Sequence, residues 1–175
     1  MLFRSAYCLA GREHQCVHFA VLGEHLPGFY ADMISVPARN LLPLPEQVSF
    51  AAAAAASLVF VTAWHSLITR GRLQAGEDVL IVGAGGGVNT AVIQVARLAG
   101  AGTIYVVGST AQKLANAGEL GADILINRRE EPNWSKAVYL ASGKKGVDFV
   151  VDNVGAATYA HSLRSLAREI GRAHV

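Results

Sequence analysis

The stretch Val79–Ala101 reads VLIVGAGGGVNTAVIQVARLAGA and joins three different patterns. Val79–Val82 is a continuous apolar run, which is typical of a parallel strand buried on both faces. The glycine-rich turn after it lets backbone N–H groups come close to a ligand, and apolar positions then recur at helical spacing as far as Leu98. Since a helix N-terminus behind a glycine turn attracts phosphate groups, the stretch predicts the first strand, turn and helix of a dinucleotide-binding fold.

The glycine turn alone does not fix the ligand. Counted from Gly83, the last position of the pattern G-x-G-x-x-G is Val88; counted from Ala84, the first position is alanine and the last is Asn89. The same cluster suits a tight turn in any α/β protein, or a site for S-adenosylmethionine. The choice among these ligands depends on the rest of the chain.

From Gly76 onward, strand and helix patterns alternate with short turns between them, which is typical of a doubly wound parallel sheet, the Rossmann architecture. Apolar runs predict four strands, and amphipathic spacing predicts helices between them. The strands are Val79–Val82, Thr103–Val107, Ile124–Ile126 and Val147–Val151; the helices after the first lie near Ala111–Leu120, Trp134–Ser142 and Ala156–Ala167. About six strands are usual, so the sheet is expected to be incomplete.

The segment before residue 49 does not follow this alternation. Tyr30–Val36 predicts a strand that Pro37 ends, and the prolines of Asn40–Pro45 predict an extended segment outside a central sheet position. Ser49 is a suitable N-cap for a helix that begins at Phe50 and runs to the turn at Arg70–Gly71. We therefore expect one domain over residues 1–48 and a second over residues 49–175.

Composition narrows the classes of function. The 175 residues are 52% hydrophobic with a mean hydropathy of +0.33, and 15 Lys and Arg against 13 Asp and Glu give a net charge of +2. The basic residues are scattered, so no nucleic-acid face is expected. The longest apolar run, Phe50–Trp64, is shorter than a membrane span of roughly 20 residues and predicts a buried helix. No secretory signal is recognised, so we expect a cytoplasmic protein with reduced cysteines.

Five blocks of sequence together resemble the medium-chain, zinc-type alcohol dehydrogenase and quinone reductase family. They are PARNLLPLPEQVSF, the helix ending VTAW, the turn GAGGGV, LGAD at Leu120–Asp123 and VDFVVDNVG at Val147–Gly155. The resemblance covers nearly all of residues 5–168, whereas a member of the family is longer at both ends. It implies the C-terminal part of a GroES-like catalytic domain followed by the first two-thirds of a Rossmann cofactor domain, that is, a fragment.

The cofactor follows from residues after the second strand. A member that binds NAD carries Asp or Glu there for the ribose hydroxyls, but this chain reads Gly108-Ser109-Thr110. Without that carboxylate a 2′-phosphate is not repelled, Ser109 and Thr110 can donate to it, and Lys113 lies one helical turn further on. We therefore expect NADP(H) in preference to NAD(H).

The resemblance also assigns residues along the cofactor. Thr62 would touch the nicotinamide side, and Asn153 and Val154 would lie along the cofactor after the fourth strand. The family prefers glycine at the position of Asn89, where an asparagine adds a side chain at a crowded place and is expected to affect cofactor affinity. The full expected cofactor set is Thr62, Gly85, Gly86, Gly87, Val88, Asn89, Ser109, Thr110, Lys113, Asn153 and Val154.

The zinc sites of the family are incomplete in this sequence. Cys8 and Cys16 resemble the last two cysteines of its four-cysteine structural zinc lobe, whose first two positions would be Leu2 and Ser5. Two thiolates do not complete a tetrahedral site, and two free cysteines in a loop are an equal alternative. Leu58 matches the later catalytic zinc ligand, so zinc is not expected and the catalytic residues stay unknown. Four histidines are not assigned as substitute ligands: His14, His18, His25 and His65.

Two functions from different classes remain. The first is an oxidoreductase that moves hydride between NADP(H) and an alcohol, aldehyde or quinone-like carbonyl of a small-molecule substrate. The full-length parent of this fragment is expected to be a homo-oligomer. The second is a non-catalytic nucleotide-binding module, with a methyltransferase as a minor variant. With four strands supplied, we expect the chain alone to be inactive.

The last seven residues, 169–175, read EIGRAHV where a glycine turn and an apolar fifth strand should follow. Gly171-Arg172 could begin that turn. The alternative hypothesis is that one frame of a common short-read sequencing adapter encodes EIGRAHV, and that the protein continues past Arg168 into the fifth strand.

Overall fold

The computed structural model describes residues 5–168 and the backbone of residues 172–174. It contains two compact units, Met1–Pro45 and Glu46–Val175. The first unit holds a short helix, α1 (Ala6–Leu9), and two 3₁₀ turns, Glu13–Gln15 and Ala38–Asn40. It has little regular structure, and each unit is described by itself below.

The strand predicted over Tyr30–Val36 is wrong, because these residues have no strand pairing. A strand needs a neighbour for its N–H and C=O groups. Within the described part of the first unit the one β-type pairing is a single bridge between Leu22 and Leu26. Most apolar side chains of the segment are exposed, Met33 to 90%.

The second unit is a parallel sheet with helices. Its elements, in chain order, are α2 (Phe50–Trp64), β1 (Val79–Val82), α3 (Gly87–Leu98), β2 (Ile104–Gly108), α4 (Ala111–Glu119), β3 (Ile124–Asn127), α5 (Trp134–Ala141), β4 (Phe149–Asp152), α6 (Tyr159–Ser165) and β5 (Arg172–His174). The sheet is five-stranded in the order β3-β2-β1-β4-β5, and every pair is parallel. The doubly wound fold is confirmed, and the strand order reverses between β1 and β4.

The predicted strands agree with the structure except in number and at some ends. β1 has the predicted bounds, whereas β4 begins later, at Phe149, because Val147 makes only a single bridge, to Leu166. The prediction of four strands is wrong, since β5 pairs with β4 through the backbone. Apolar patterning does not indicate this short strand, whose sequence is RAH. The hypothesis on the origin of the tail includes residues 169–171 and 175, which lie outside the described residues, and it stays a prediction.

The helical segment that starts with α2 begins and ends as predicted but is more exposed than expected. The Ser49 hydroxyl accepts a hydrogen bond from the Ala52 N–H at 3.2 Å, and a π-helical turn, His65–Arg70, continues the helix. The helical segment Phe50–Arg70 has 21 residues and is long and apolar enough to cross a membrane, with 17% of its most apolar window buried. The expectation that this helix is buried is therefore wrong, and so is the expectation that it is too short for a membrane span, although length and composition alone do not separate a membrane helix from one that packs on protein.

The core lies on both faces of the sheet, because successive strand residues point to opposite sides. On one face Ile81, Val106 and Val151 pack with α3 residues such as Val92. On the other face lie Leu80, Val82, Tyr105, Val107, Trp134 and Val138. All of β1 is buried, which places the turn after it at the centre of the carboxyl edge of the sheet.

Aspartates close the amino edge of the sheet. Asp78 Oδ1 accepts a hydrogen bond from Thr103 N–H at 2.7 Å, and Asp148 Oδ2 accepts one from Asp78 N–H at 2.8 Å. Asp123 Oδ2 accepts from Ile104 N–H at 2.7 Å and lies 2.6 Å from the Arg97 guanidinium. These bonds satisfy backbone donors where the strands begin.

Candidate functional site: a cleft at the carboxyl edge of the sheet

A cleft of 520 Å³ lies at the carboxyl edge, where β1 and β4 diverge into loops. Doubly wound sheets bind ligands in this crevice, where the strand order reverses. The turn after β1, the ends of β2 and β3, the start of α4 and the loop after β4 all contribute to it. The lining residues are Gly83, Ala84, Gly85, Gly86, Gly87, Val88, Asn89, Val107, Gly108, Ser109, Lys113, Arg128, Asn153 and Val154.

The glycine turn presents backbone donors without protein acceptors. Helix α3 has Gly86 as its N-cap with no side-chain cap, and its first backbone bond runs from Thr90 N–H to Gly86 O at 3.0 Å. Within the described residues, the N–H groups of residues 84–89 donate to no protein acceptor. Together with the positive end of the helix dipole, they form a site for an anion such as a pyrophosphate.

Gly83 is required by both the backbone and the packing of the turn. Its φ is +107°, which L-residues with side chains rarely adopt, and a Cβ there would lie 2.7 Å from Asn89 Nδ2. At Gly85 a Cβ would lie 2.7 Å from Cδ of Lys113, so a side chain at this position would displace the flexible stem of Lys113. The aliphatic part of Lys113 therefore lies across the glycine turn.

The cleft is electropositive. Lys113 and Arg128 line it, and both are exposed at its rim. No Asp or Glu is among the lining residues of the described chain. The hydroxyl of Ser109 lies in the same wall, so the residues after β2 and β3 offer cations and a donor to a second anionic group.

The structure brings most of the predicted cofactor residues into this cleft, but not Thr62 or Thr110. Thr62 is on the exposed part of α2, where its hydroxyl donates to Leu58 O at 2.9 Å. Thr110 is the N-cap of α4, and its Oγ1 accepts from Lys113 N–H at 3.4 Å. Neither residue lines the cleft.

Sequence reasoning missed Arg128. It follows β3 directly, and its N–H donates to Gly108 O at 2.9 Å, which holds it beside the end of β2. The signal was present, because a residue directly after the third parallel strand must lie at the carboxyl edge with the glycine turn.

Asp152 fixes the loop that follows β4. Its carboxylate is fully buried; Oδ1 accepts hydrogen bonds from Val154 N–H at 2.9 Å, Gly155 N–H at 3.1 Å and the Thr158 hydroxyl at 2.9 Å. Oδ2 accepts from the Ser162 hydroxyl at 2.6 Å. Burial by itself raises the pKa of this carboxyl, but the hydrogen bonds from Ser162, Thr158 and the two backbone N–H groups outweigh it and lower the pKa.

The Ser5 hydroxyl lies between the two cysteine sulfurs. The Ser5 hydroxyl is 3.4 Å from the Cys8 sulfur and 3.3 Å from the Cys16 sulfur, and both thiols are free. The hydrogen bonds from Ser5 and from His18 N–H lower the pKa of the Cys16 thiol. Among the described residues no three His, Cys, Asp or Glu side chains are grouped to hold a metal ion, so this donor set does not fit zinc. Leu2 lies outside the described residues.

The comparisons with known proteins identify the class of protein that this fold and cleft define. The family described as "Zinc-binding dehydrogenase" matches residues 87–175, so the chain belongs to it. The resemblance to zinc-type alcohol dehydrogenases and related reductases is confirmed, and the family is one of oxidoreductases. This assignment excludes the methyltransferase variant.

The chain corresponds to a different share of the length of each relative. L-threonine 3-dehydrogenase of Bacillus velezensis is 32% identical over 170 residues, which is 96% of this chain and 47% of that protein. Highly-reducing polyketide synthase 1 of Aureobasidium melanogenum is 35% identical over 155 residues, 85% of this chain and 7% of that protein. The crystal structure of an NAD-dependent alcohol dehydrogenase matches with a TM-score of 0.90 and 39% identity, over 97% of this chain and 49% of that one. The chain thus spans less than half of each.

Proposed function

We propose that the chain is the cofactor-binding part of an oxidoreductase that transfers hydride between NADP(H) and an alcohol, aldehyde or quinone-like carbonyl. The observation that carries the proposal is the run of N–H groups at residues 84–89, which have no acceptor among the described residues and lie beside two cations in a cleft whose described lining has no carboxylate. The nicotinamide ring supplies the hydride chemistry when the cofactor is bound. The substrate is a small molecule, and the proposed setting is the cytoplasm, where free cysteines stay reduced.

The described residues divide the work of binding. The backbone N–H groups of the glycine turn hold the pyrophosphate at the start of α3. Lys113, Arg128 and the Ser109 hydroxyl surround a ribose phosphate at the ends of β2 and β3. Asn153 and Val154 line the opposite wall, after β4. No step is assigned to zinc, because the donor set of Cys8 and Cys16 is too small.

The choice of NADP(H) over NAD(H) is tested by calorimetric titration of the chain with NADPH and NADH. A charge-assisted hydrogen bond contributes about 1.5 to 3 kcal/mol and 1.4 kcal/mol is tenfold, so NADPH is expected to bind at least about tenfold more tightly. The relative of known structure is named as an NAD-dependent alcohol dehydrogenase, and the likeness to it favours the opposite result, tighter binding of NADH. Equal or tighter binding of NADH would contradict the proposal.

Arg128 and Arg129 offer a matched pair for the same titration. Both are exposed, but only Arg128 lines the cleft. Arg128→Gln is expected to weaken NADPH binding about tenfold and leave NADH binding unchanged, because it removes a phosphate contact. Arg129→Gln is expected to change neither affinity, and equal effects of the two substitutions would remove Arg128 from the site.

The non-catalytic module remains the second candidate, because the part of the chain that the structure describes forms five strands where about six are usual and is assigned no catalytic residue. We propose that the chain alone turns over no substrate, and that the full-length parent is an active homo-oligomer. Steady NADPH oxidation by the purified chain across a panel of aldehydes and quinones would contradict this. Metal analysis after dialysis is expected to find no stoichiometric zinc, and one tightly held zinc per chain would overturn that expectation.

A further inference from the structure

The amide of Asn89 is enclosed by protein groups. Asn89 lies in the first turn of α3 and is 5% exposed. Its Nδ2 is 2.9 Å from Val82 O and 2.7 Å from Gly83 O. A carbonyl oxygen only accepts hydrogen bonds, so the amide must turn its NH₂ group towards these two atoms. The opposite atom, Oδ1, is thereby fixed as an acceptor.

The orientation of Asn89 determines that of Asn153. Asn89 Oδ1 accepts a hydrogen bond from Asn153 Nδ2 at 2.7 Å, across the crevice between β1 and β4. Since Oδ1 of Asn89 needs a donor, the NH₂ group of Asn153 faces it. Two backbone carbonyls at the end of β1 thus fix both side-chain amides.

The other polar atom of the Asn153 side-chain amide, Oδ1, is a hydrogen-bond acceptor in the cleft. Asn153 lines the cleft and is exposed, and within the described residues no group donates to its Oδ1. The backbone on its C-terminal side is also held, because Asp152 accepts from the N–H groups of Val154 and Gly155. A fixed acceptor therefore lies in the same cleft as the N–H donors of the glycine turn.

We propose that Asn89 is a positioning residue that orients Asn153, so that Asn153 Oδ1 accepts a hydrogen bond from an N–H or O–H group of the bound dinucleotide. This inference rests on the proposed function. Three kinds of group in a dinucleotide have the required chemistry: a ribose hydroxyl, the NH₂ of the nicotinamide carboxamide and the NH₂ of the adenine. A glycine at position 89 would remove the relay and leave the amide of Asn153 free to rotate.

The test is a double-mutant cycle on the chain, with NADPH affinity measured by calorimetry and folding by thermal melting. Asn89→Ala and Asn153→Ala are each expected to weaken NADPH binding about fivefold to tenfold. The double variant is expected to bind NADPH no more weakly than the single variant with the lower affinity. Such non-additivity is expected only when the two side chains act as one unit. Independent losses that multiply, or unchanged binding in both single variants, would overturn the proposal.

Two further variants separate positioning from stability. Asn153→Ala removes the donor to the buried Asn89 Oδ1, so its melting temperature is expected to fall by a few degrees while the fold is kept, and its affinity decides the proposal even where Asn89→Ala does not fold. Asn116→Ala is the control, because Asn116 is exposed on α4 and pairs with Gln112 at 3.0 Å. An equal loss in Asn116→Ala would overturn the proposal.

Titration with 2′-phospho-ADP-ribose, which lacks nicotinamide, identifies the donor. An equal loss with this ligand and with NADPH supports a ribose hydroxyl or the adenine NH₂ as the donor, whereas a loss with NADPH alone supports the nicotinamide carboxamide. Failure of the unsubstituted chain to bind either ligand would overturn the proposed function and, with it, this inference. Binding that both single variants retain would overturn the inference alone.

Discussion

At the amino edge of the sheet aspartates accept hydrogen bonds from backbone N–H groups, whereas at the carboxyl edge a run of backbone N–H groups has no acceptor in the described chain. Asp78, Asp123 and Asp148 each directly precede a strand and accept a hydrogen bond from a nearby backbone N–H. The donors of residues 84–89 face a cleft instead. Backbone N–H donors are thus satisfied by carboxylates at the amino edge, which stabilises the fold. At the carboxyl edge the donors are left for a ligand to accept from.

Asp152, which ends β4 at the carboxyl edge, is consistent with this difference between the two edges. Asp152 is fully buried and uses both oxygens on its own loop and on α6, so it presents no negative charge to the cleft lining. An exposed acid at this edge would repel an anionic cofactor. The comparison therefore predicts that acids at the two edges differ in their effect on stability and that neither contributes to binding through its charge.

The largest effect is expected for Asp152→Ala. The substitution leaves the buried Ser162 hydroxyl without its acceptor, removes the acceptor of the Val154 and Gly155 N–H groups and leaves the Thr158 hydroxyl with Gly155 O alone, and we expect the free energy of unfolding to fall by about 3 to 5 kcal/mol. Asp148→Ala at the amino edge removes one described bond, from Asp78 N–H, and is expected to cost about 0.5 to 1.5 kcal/mol. Urea unfolding measures both, and equal losses would contradict the difference between the edges.

The pH dependence of stability sharpens the same point. Because the pKa of Asp152 is lower in the folded state than the unfolded value of about 3.9, the unfolded chain takes up the proton first as the pH falls. The stabilisation is therefore present above about pH 4 and is lost as the pH falls through the folded-state pKa. Asp152→Asn is expected to show a flatter decrease in urea midpoint between about pH 5 and pH 3. Parallel curves for the two proteins would show that Asp152 is not the group responsible.

The parts of the fold that sequence patterns predict are those governed by local chemistry. β1, the glycine turn and α3 follow from apolar runs and glycines, and Ser49 caps α2 as its residue type suggests. By contrast, β5 was missed because a strand of Arg172–His174 has no apolar run and depends on pairing with β4. The exposure of α2 was also missed, since an alanine-rich helix has the same composition whether or not a partner covers it.

The candidate site was predictable to a similar extent. Glycines and Lys113 were found from spacing, but Thr62 was placed by resemblance and does not line the cleft of this chain. Arg128 was missed because only the pairing of β3 with β2 places it there. The role of Asn89 depends on hydrogen bonds to Asn153, far along the chain, which no local pattern contains.

A tenfold effect on binding is expected for Lys113→Met, which keeps the stem that crosses Gly85 but removes the charge. NADPH affinity should fall about tenfold while NADH affinity changes by less than about twofold, because only NADPH carries the 2′-phosphate. Lys136→Met on α5 is the matched control, since Lys136 is exposed and away from the cleft lining. An equal loss for both cofactors would show that Lys113 binds the pyrophosphate and does not select the 2′-phosphate.

The smallest effect is expected at the amino edge, for Arg97→Gln. The guanidinium bonds Asp123 Oδ2 at 2.6 Å and Gly121 O at 2.7 Å, and the side chains of the ion pair are each 41% exposed. Solvent screening keeps such a pair weak, so the free energy of unfolding should fall by only about 0.5 to 1 kcal/mol, and less in high salt. NADPH affinity should be unchanged, because Arg97 is at the far edge from the cleft. Urea unfolding at low and high salt, with calorimetry on the same samples, measures both quantities, and a weaker affinity for NADPH would mean that the two edges are coupled through α3.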